Sequence, residues 1–342
     1  MKIGILSSGG DCPGINAAIR GVGKTAITHY GMELIGLQSG FTGLLNKDTI
    51  PLNENALSGI LNLGGTILGT SREKPFRKLL ENQTINKVET IVDNYNELGL
   101  DCLVCIGGNG TQKTAYKLSQ LGLNIIGIPK TIDNDVWGTD ITFGFDTAVD
   151  IATEAIDRLH STASSHNRVM VIELMGHHAG WITLHAGMAG GADIILLPEL
   201  EYNIDSIAES VLKRAEKGKR YSIVAVAEGI EIKGEEKKKY KHPATYIAEK
   251  IEKLIGIESR ETVLGYVQRG GNPSAYDRVL ATRLGGHATE LIAKRDFGHM
   301  VCLRKGEITS TSLANVSGKL KLVEPENDLI LQGKRMGISF GK

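Results

Sequence analysis

The stretch Ile126-Gly-Ile-Pro-Lys-Thr-Ile-Asp-Asn-Asp135 ends an apolar run in a proline, a lysine, a threonine and two carboxylates separated by one asparagine. A buried parallel strand whose carboxyl end opens into a polar loop has this form. In open α/β sheets that end of the strand is where ligands sit. A loop bringing Asp133 and Asp135 there can supply a base for a hydroxyl proton and a ligand for a metal. Asp and Asn also favour turns for purely local reasons. The weight of the chemical reading therefore depends on whether other strands of the chain end alike.

Several do. Residues 3–6 read as a strand, followed by SSGGDCPG (7–14) and a helix from about Asn16. Strand, glycine-rich loop and helix make a phosphate cradle, because glycines let backbone N–H groups approach an anion at a helix N-terminus. The loop is neither a Walker A sequence nor a clean GxGxxG, and Asp11 repels phosphate unless a metal or lysine intervenes. A second glycine cluster, GGTILGTS (64–71), ends at Arg72, whose guanidinium suits bidentate phosphate contact. Strand Cys102–Ile106 leads into Gly107-Gly-Asn-Gly-Thr111, with a helix expected from Gln112. Strands at 3–6, 103–106 and 125–128 separated by helical stretches predict a doubly wound parallel sheet.

Past Asp146 a helical stretch holds Ala148–Leu159, then a polar segment, His160–Asn167. Strands at Arg168–Met175, Asp193–Leu197 and Tyr221–Ala227 end at Gly176-His-His178, Pro198-Glu199 and Glu228-Gly229, which predicts a second α/β domain on the same plan. Lys233–Lys241 reads as a solvated, charge-mixed surface segment. Thr262–Arg269 leads to Gly270-Gly-Asn-Pro273, where an arginine and paired glycines could close over a phosphate; the last forty residues receive no chemistry.

The totals limit the alternatives. The 342 residues suit two domains or one large α/β unit, and 41% hydrophobic content is enough for a core. Aromatics at 5% against 42 glycines favour loops around small ligands over a nucleic-acid stacking surface. Lys plus Arg and Asp plus Glu both number 39, so no global field attracts nucleic acid or an anionic membrane. The first strand begins at Lys2, leaving no room for a signal peptide, and no apolar run approaches the ~20 residues of a spanning helix. Cys12, Cys102, Cys105 and Cys302 are too few for a disulfide framework, and the CxxC of 102–105 lies inside an apolar run, as core thiols do. A cytoplasmic protein is expected.

Taken together, GGDCPGIN (9–16), GGTILGTSR (64–72), GGNGT (107–111), PKTIDND (129–135), MGHHAGW (175–181), AEG (227–229) and LGYVQRGG (264–271) resemble the 6-phosphofructokinase family. The resemblance runs through nearly the whole chain, with all seven stretches in the family's order. PKTIDND with HSTASSHNRVM (160–170) looks like the subgroup between the ATP-dependent and pyrophosphate-dependent members.

The resemblance implies two doubly wound, Rossmann-like α/β domains with the active site in the cleft between them. Residues 1–144 and about 268–315 would bind the donor; about 145–267 and 316–342 would bind fructose 6-phosphate. It implies that Asp133 takes the proton from the sugar 1-hydroxyl, with Thr131 holding the transferring phosphoryl group and Lys130 beside it. Gly10, Arg72, Gly108, Asn109, Gly110 and Thr111 would cradle the donor phosphates. Thr131, Ile132 and Asp133, with Met175, Gly176, His177, Glu228 and Tyr266, would border the sugar. Arg168, Arg260 and Arg269 would grip its 6-phosphate. In the family Arg168 and Arg260 reach in from a neighbouring subunit, which implies a homo-oligomer, a tetramer. Mg²⁺ is the implied cofactor, with Asn109 and Asp135 as its candidate ligands.

Three positions depart from the family pattern. His177 stands where most relatives have arginine, Tyr266 where many have histidine, and Asn109 where an acid is usual. A neutral amide is a poorer Mg²⁺ ligand than a carboxylate. As to the donor, Gly110 leaves space for a nucleotide where pyrophosphate users carry aspartate, whereas Lys130 occurs in pyrophosphate users. The reading taken is ATP, giving fructose 1,6-bisphosphate and ADP; pyrophosphate is the alternative. Arg20 and Lys24 match basic effector-site residues, but Glu54 replaces an arginine, so weak or absent effector control is expected.

Three other readings compete. GGNGT is also similar to the loop of NAD kinases and lipid kinases, which lack PKTIDND and the arginine-bearing second half. A sugar-phosphate sensor would have no need for Asp133. A metal hydrolase using His160, His166, His177, His178 and His185 finds no compact ligand spacing.

Overall fold

The computed structural model describes residues 1–76, 81–232 and 234–342. The chain divides into two compact units: Met1–Thr131, Asp135–Asp146 and Arg269–Lys321 form the first, and Ile132–Asn134, Thr147–Gln268 and Leu322–Lys342 the second.

In chain order the elements are β1 (Lys2–Ser8), α1 (Ile15–Tyr30), β2 (Glu33–Leu37), α2 (Phe41–Asn46), β3 (Thr49–Pro51), α3 (Glu81–Glu97), β4 (Cys102–Gly107), α4 (Asn109–Ser119), β5 (Ile125–Pro129), α5 (Phe145–His166) and β6 (Val169–Leu174). Then follow α6 (Trp181–Ala189), β7 (Ile194–Leu196), α7 (Ile204–Glu216), β8 (Ser222–Ala227), α8 (Pro243–Ile255), β9 (Ser259–Val263), α9 (Ala275–Ala293), β10 (His299–Arg304), β11 (Glu307–Ser312), α10 (Leu313–Val316) and α11 (Asp328–Arg335).

The first unit carries a seven-stranded sheet in the order β11-β10-β5-β4-β1-β2-β3. Its centre is parallel, and β3 and β11 pair antiparallel at the two edges. β4 and β5 are buried along their whole lengths, as strands covered on both faces must be. Leu6, Leu37, Phe41, Leu103, Cys105 and Ile125 form its core.

β1 has β2 on one side and β4 on the other, so the strand order reverses there. The register Ser8 to Gly107 to Pro129 brings the carboxyl ends of β1, β4 and β5 level. Loops leaving those three strands therefore emerge side by side, at the switch point where open α/β sheets bind ligands.

The second unit is a four-stranded parallel sheet, β7-β8-β6-β9. Val169, Val171, Ile194, Val224, Val226, Ile247 and Ile251 pack as its core. Glu173, buried inside β6, accepts from His242 Nδ1 at 2.9 Å and from the Ala244 N–H at 3.1 Å. A strand carboxylate thus supplies the cap that the first turn of α8 lacks. Leu174 pairs with Ala227 and Glu173 with Val263, so β6, β8 and β9 also end level.

Some expectations need revising. The segment His160–Asn167, read as a polar stretch following the helix, is helical as far as His166 and belongs to α5. The helix after β4 starts at Asn109, three residues before Gln112. Within Lys233–Lys241, Gly234–Lys238 is a short 3-10 turn at the surface, and Lys233 lies outside the described residues. All four cysteines are free and buried. Among the described residues no helix is long and apolar enough to cross a membrane.

Candidate active site

The site is built outward from the switch point. The earlier start of α4 makes Gly110 and Thr111 first-turn residues. Gly108 caps that helix without a side-chain hydrogen bond, and its first turn holds no acid. First-turn N–H groups lack intrahelical partners and carry the positive end of the helix dipole, which together favour an anion. The helix is fixed here by Gln112, whose buried Nε2 donates to the Gly107 carbonyl (2.9 Å) and the Ile128 carbonyl (3.0 Å). One side chain thereby ties the ends of β4 and β5. Thr111 Oγ1 reaches the Ser8 carbonyl at 3.3 Å and joins β1 to the same group.

The segment carrying Arg72 is bound onto the β1 loop. Gly9 N–H donates to the Ser71 carbonyl (2.9 Å), Thr70 Oγ1 to the Gly9 carbonyl (2.7 Å) and Ser7 Oγ to the Gly69 carbonyl (2.8 Å). Between these pieces lies a cavity of ≈ 440 Å³, lined by Ser8, Gly9, Gly110 and Thr111 and by the cations Arg72, Lys74, Lys113 and Lys117. Its size is that of a small-ligand site. The Phe76 ring also lines it, with Lys117 Nζ 4.9 Å from the ring centroid. A Cβ placed on Gly110 would meet nothing within 4 Å.

Two cations converge on the β1 loop. Lys130 is 2% exposed, and its Nζ donates to the Gly10 carbonyl. Arg269 lies across Gly10: a Cβ there would come within 1.8 Å of Nη1, so a side chain at this position would push the guanidinium aside. Arg269 Nη1 also reaches the Asp11 carbonyl at 3.5 Å. The contact is with the main chain of Asp11, whose carboxylate the sequence reading expected a metal or a lysine to offset.

The carboxylate loop is anchored at both ends. The Thr131 carbonyl accepts from Thr142 Oγ1 at 2.7 Å, and the Asp135 carbonyl accepts from Asn109 Nδ2 at 3.2 Å and from the Lys321 N–H at 2.9 Å. Ile132, Asn134 and Asp135 are buried, and Asp133 is half-buried. Asn134 takes φ 51°, a left-handed conformation that asparagine tolerates. Burial pushes the Lys321 ammonium pKa down to about 8, against the opposing pull of Asp140 and Asp135.

Asn109 Oδ1 is a buried oxygen with no hydrogen-bond partner. A hard oxygen donor of that kind fits Mg²⁺, which keeps most of its waters and takes few protein ligands. Among the described residues no cluster of three His, Cys, Asp or Glu could hold a metal, so the histidine-based hydrolase finds no site.

In the second unit, Met175, Gly176 and His177 follow β6, Glu228 follows β8, and Tyr266 lies just past β9. Glu228 Oε1 accepts the Gly176 N–H (3.2 Å) and the His177 N–H (2.8 Å), so this carboxylate shapes the turn. His177 has φ 53°, and its carbonyl sits 2.1 Å from where a Gly229 Cβ would lie. Met175 N–H donates to Oε1 of the buried Gln268 at 2.8 Å. Tyr266 is 74% exposed.

Arg168 and Arg260 do not join this group. Arg168 precedes β6 and Arg260 is the second residue of β9, so both lie at the amino-terminal edge of the sheet, opposite Glu228. Glu258 bridges them, with Oε2 3.2 Å from Arg168 Nη2 and Oε1 2.5 Å from Arg260 Nη2. Sequence reasoning missed Gln112, Thr142, Gln268 and Lys321. Gln268 and Lys321 act on partners distant in the chain, and Gln112 and Thr142 tie loop carbonyls that no spacing rule marks.

A doubly wound sheet whose switch point is lined with glycine amides and cations defines a phosphate-binding α/β protein. A family model described as Phosphofructokinase matches residues 2–292, and the chain belongs to that family. It is 63% identical, over the whole of both chains, to "ATP-dependent 6-phosphofructokinase 3" of Bacteroides thetaiotaomicron. It is 54% identical to "ATP-dependent 6-phosphofructokinase" of Spirochaeta thermophila, over 99% of this chain and 97% of that one. Among solved structures, Pichia pastoris phosphofructokinase in the T-state matches with a TM-score of 0.83 and 32% identity. That match covers 92% of this chain, which spans 35% of the yeast chain.

Proposed function

We propose that this chain transfers the terminal phosphoryl group of ATP to the 1-hydroxyl of D-fructose 6-phosphate, giving D-fructose 1,6-bisphosphate and ADP. The observation that carries the donor assignment is the open space beside Gly110 in a cation-lined cavity, where a nucleotide can extend past its β-phosphate. The names of the Bacteroides and Spirochaeta relatives agree with it.

Phosphoryl transfer asks a protein for positioning and charge neutralisation more than for covalent chemistry. The first-turn amides of Gly110 and Thr111, with Gly10, Gly108 and Arg72, hold the donor phosphates. Lys130, drawn onto the Gly10–Asp11 loop, neutralises charge that develops on the transferring group, and Arg269 grips the 6-phosphate of the sugar. Thr131 orients that group. Asp133 accepts the 1-hydroxyl proton as the oxygen attacks, a role that needs hydrogen-bond reach in the bound state. Mg²⁺, when bound, would offset phosphate charge, with Asn109 Oδ1 and Asp135 as its protein oxygens.

Met175, Gly176, His177 and Glu228 border the sugar, with Ile132 beneath and Tyr266 at the rim. Arg168 and Arg260 serve a neighbouring subunit's acceptor site, which makes the working enzyme a homo-oligomer, a tetramer. Their separation from Glu228 within the chain supports that division. The first unit is then the donor domain and the second the acceptor domain.

Purified protein assayed with fructose 6-phosphate and equal concentrations of ATP or pyrophosphate, with and without magnesium, tests the reading. Magnesium-dependent turnover with ATP is expected. Turnover with pyrophosphate far exceeding that with ATP would reverse the donor.

A further inference from the structure

The last residues of the first unit lie along the carboxylate loop. Leu320 forms an antiparallel bridge with Val136, and the Lys321 N–H donates to the Asp135 carbonyl at 2.9 Å. Lys321 Nζ then turns back along the loop and donates to the carbonyls of Asp140 (2.7 Å) and Thr139 (3.1 Å). The hairpin β10–β11 takes the loop's outer side. Asp140 N–H donates to the Leu303 carbonyl (2.8 Å), Leu303 N–H to Thr139 Oγ1 (3.1 Å) and Arg304 Nε to the Gly138 carbonyl (3.1 Å).

One residue therefore grips the loop at two places, by its backbone at Asp135 and by its side chain at 139–140. Upstream, Thr142 Oγ1 holds the Thr131 carbonyl. Residues 132–134, with the half-buried Asp133 in the middle, form a three-residue excursion fastened on both flanks. Two carbonyls, those of Thr139 and Asp140, accept from the ammonium, and the acceptor in the buried Thr139 is costly to strand without it, while the Asp135 carbonyl keeps its backbone N–H. The loop would relax to recover partners. Thr139 and Asp140 belong to the same loop as Asp133 and Asp135, so the relaxation passes to Asp133 along the chain.

We propose that Lys321 is a positioning residue for phosphoryl transfer, fastening residues 135–140 so that Asp133 is held ready for the acceptor hydroxyl. This rests on the role assigned to Asp133 above. The Lys321 ammonium is engaged by loop carbonyls and does not line the donor cavity, so its removal acts on kcat through loop order and leaves ground-state binding alone.

The test compares Lys321→Met, which keeps the length of the side chain and removes its donors, with Lys321→Arg, which keeps donors. Amide hydrogen exchange by mass spectrometry is followed in peptides spanning 131–142, beside peptides from α1 and β8. In Lys321→Met, exchange accelerates in 131–142 and not in the other two. Its kcat falls on the order of tenfold to a hundredfold, the scale of misplacing a catalytic group by an ångström, while KM for each substrate stays within about twofold. Lys321→Arg recovers most of that loss. Unchanged exchange in 131–142, exchange accelerated throughout the chain, or a kcat within about twofold of the parent would overturn the proposal. Should Lys321→Met not fold, Lys321→Gln, retaining one donor group, serves in its place. A parent enzyme inactive with both donors would sink the Asp133 role instead, and the exchange arm would still judge the fastening.

Discussion

The two units end their parallel strands in the same way and equip those ends differently. In the seven-stranded unit, the edge beyond β1, β4 and β5 is made of glycine backbone, an uncapped helix start and cations turned onto main-chain carbonyls. In the four-stranded unit, carboxylates hold the turns. Glu228 takes the amides of 176 and 177, and Glu199 takes the amides of Gly180 and Val323. The first arrangement gathers amides and cations within its own unit. The second presents an acid-shaped turn, and Arg168 and Arg260 sit at the other edge of its sheet. On the reading proposed above, the sugar phosphate is gripped by arginines of a neighbouring copy of the chain, whereas the donor groups all lie in one unit.

The sharpest way to break this contrast is at Asp133. Asp133→Asn keeps the shape of the loop and removes the base, so kcat should fall by roughly 10²–10⁴ with both KM values little changed, measured in steady-state assays. Full turnover in that variant would remove the base from the mechanism.

Next in size is Gly110→Asp, which puts a carboxylate into the open space of the donor cavity. Two like charges about 4 Å apart repel by up to roughly 4 kcal/mol near a protein surface, so KM for ATP should rise by about 10²-fold or more. Pyrophosphate use should suffer less. Thermal unfolding should not shift downward, since an acid in a first helical turn is favourable. Equal losses with the two donors would show that the cavity does not distinguish them.

The smallest effect is expected at Glu228→Gln. The amide oxygen can still accept from 176 and 177, but the bonds lose their ionic strengthening, about 1–2 kcal/mol. KM for fructose 6-phosphate should rise by roughly tenfold, with KM for ATP unchanged. A change confined to ATP would join the two units' roles and blur the comparison.

The sequence was most readable where strands are buried on both faces. β1, β4, β5, β6 and β8 are near-continuous apolar runs, and each runs out at a glycine, a proline or an acid that marks its loop. β9 escaped notice because only Ser259 of its five residues is buried and the others are polar or exposed. β3 has three residues and ends in proline. Within the site, residues inside the glycine-rich and TIDND stretches announced themselves by type and spacing. Gln268 and Lys321 did not, since their partners lie 93 and 181–182 residues away. A glutamine or lysine in an unremarkable stretch looks like surface until the fold brings its partner alongside.

The four thiols carry a practical consequence. Every one is buried, and burial pushes the pKa of Cys12, Cys102, Cys105 and Cys302 upward, leaving the nucleophilic thiolate scarce. Maleimide dyes and nitroxide labels would therefore pass the native chain by. A single cysteine introduced on the surface becomes a selective handle with no prior cysteine removal, which opens each unit to fluorescence and spin-resonance studies of the otherwise unaltered enzyme.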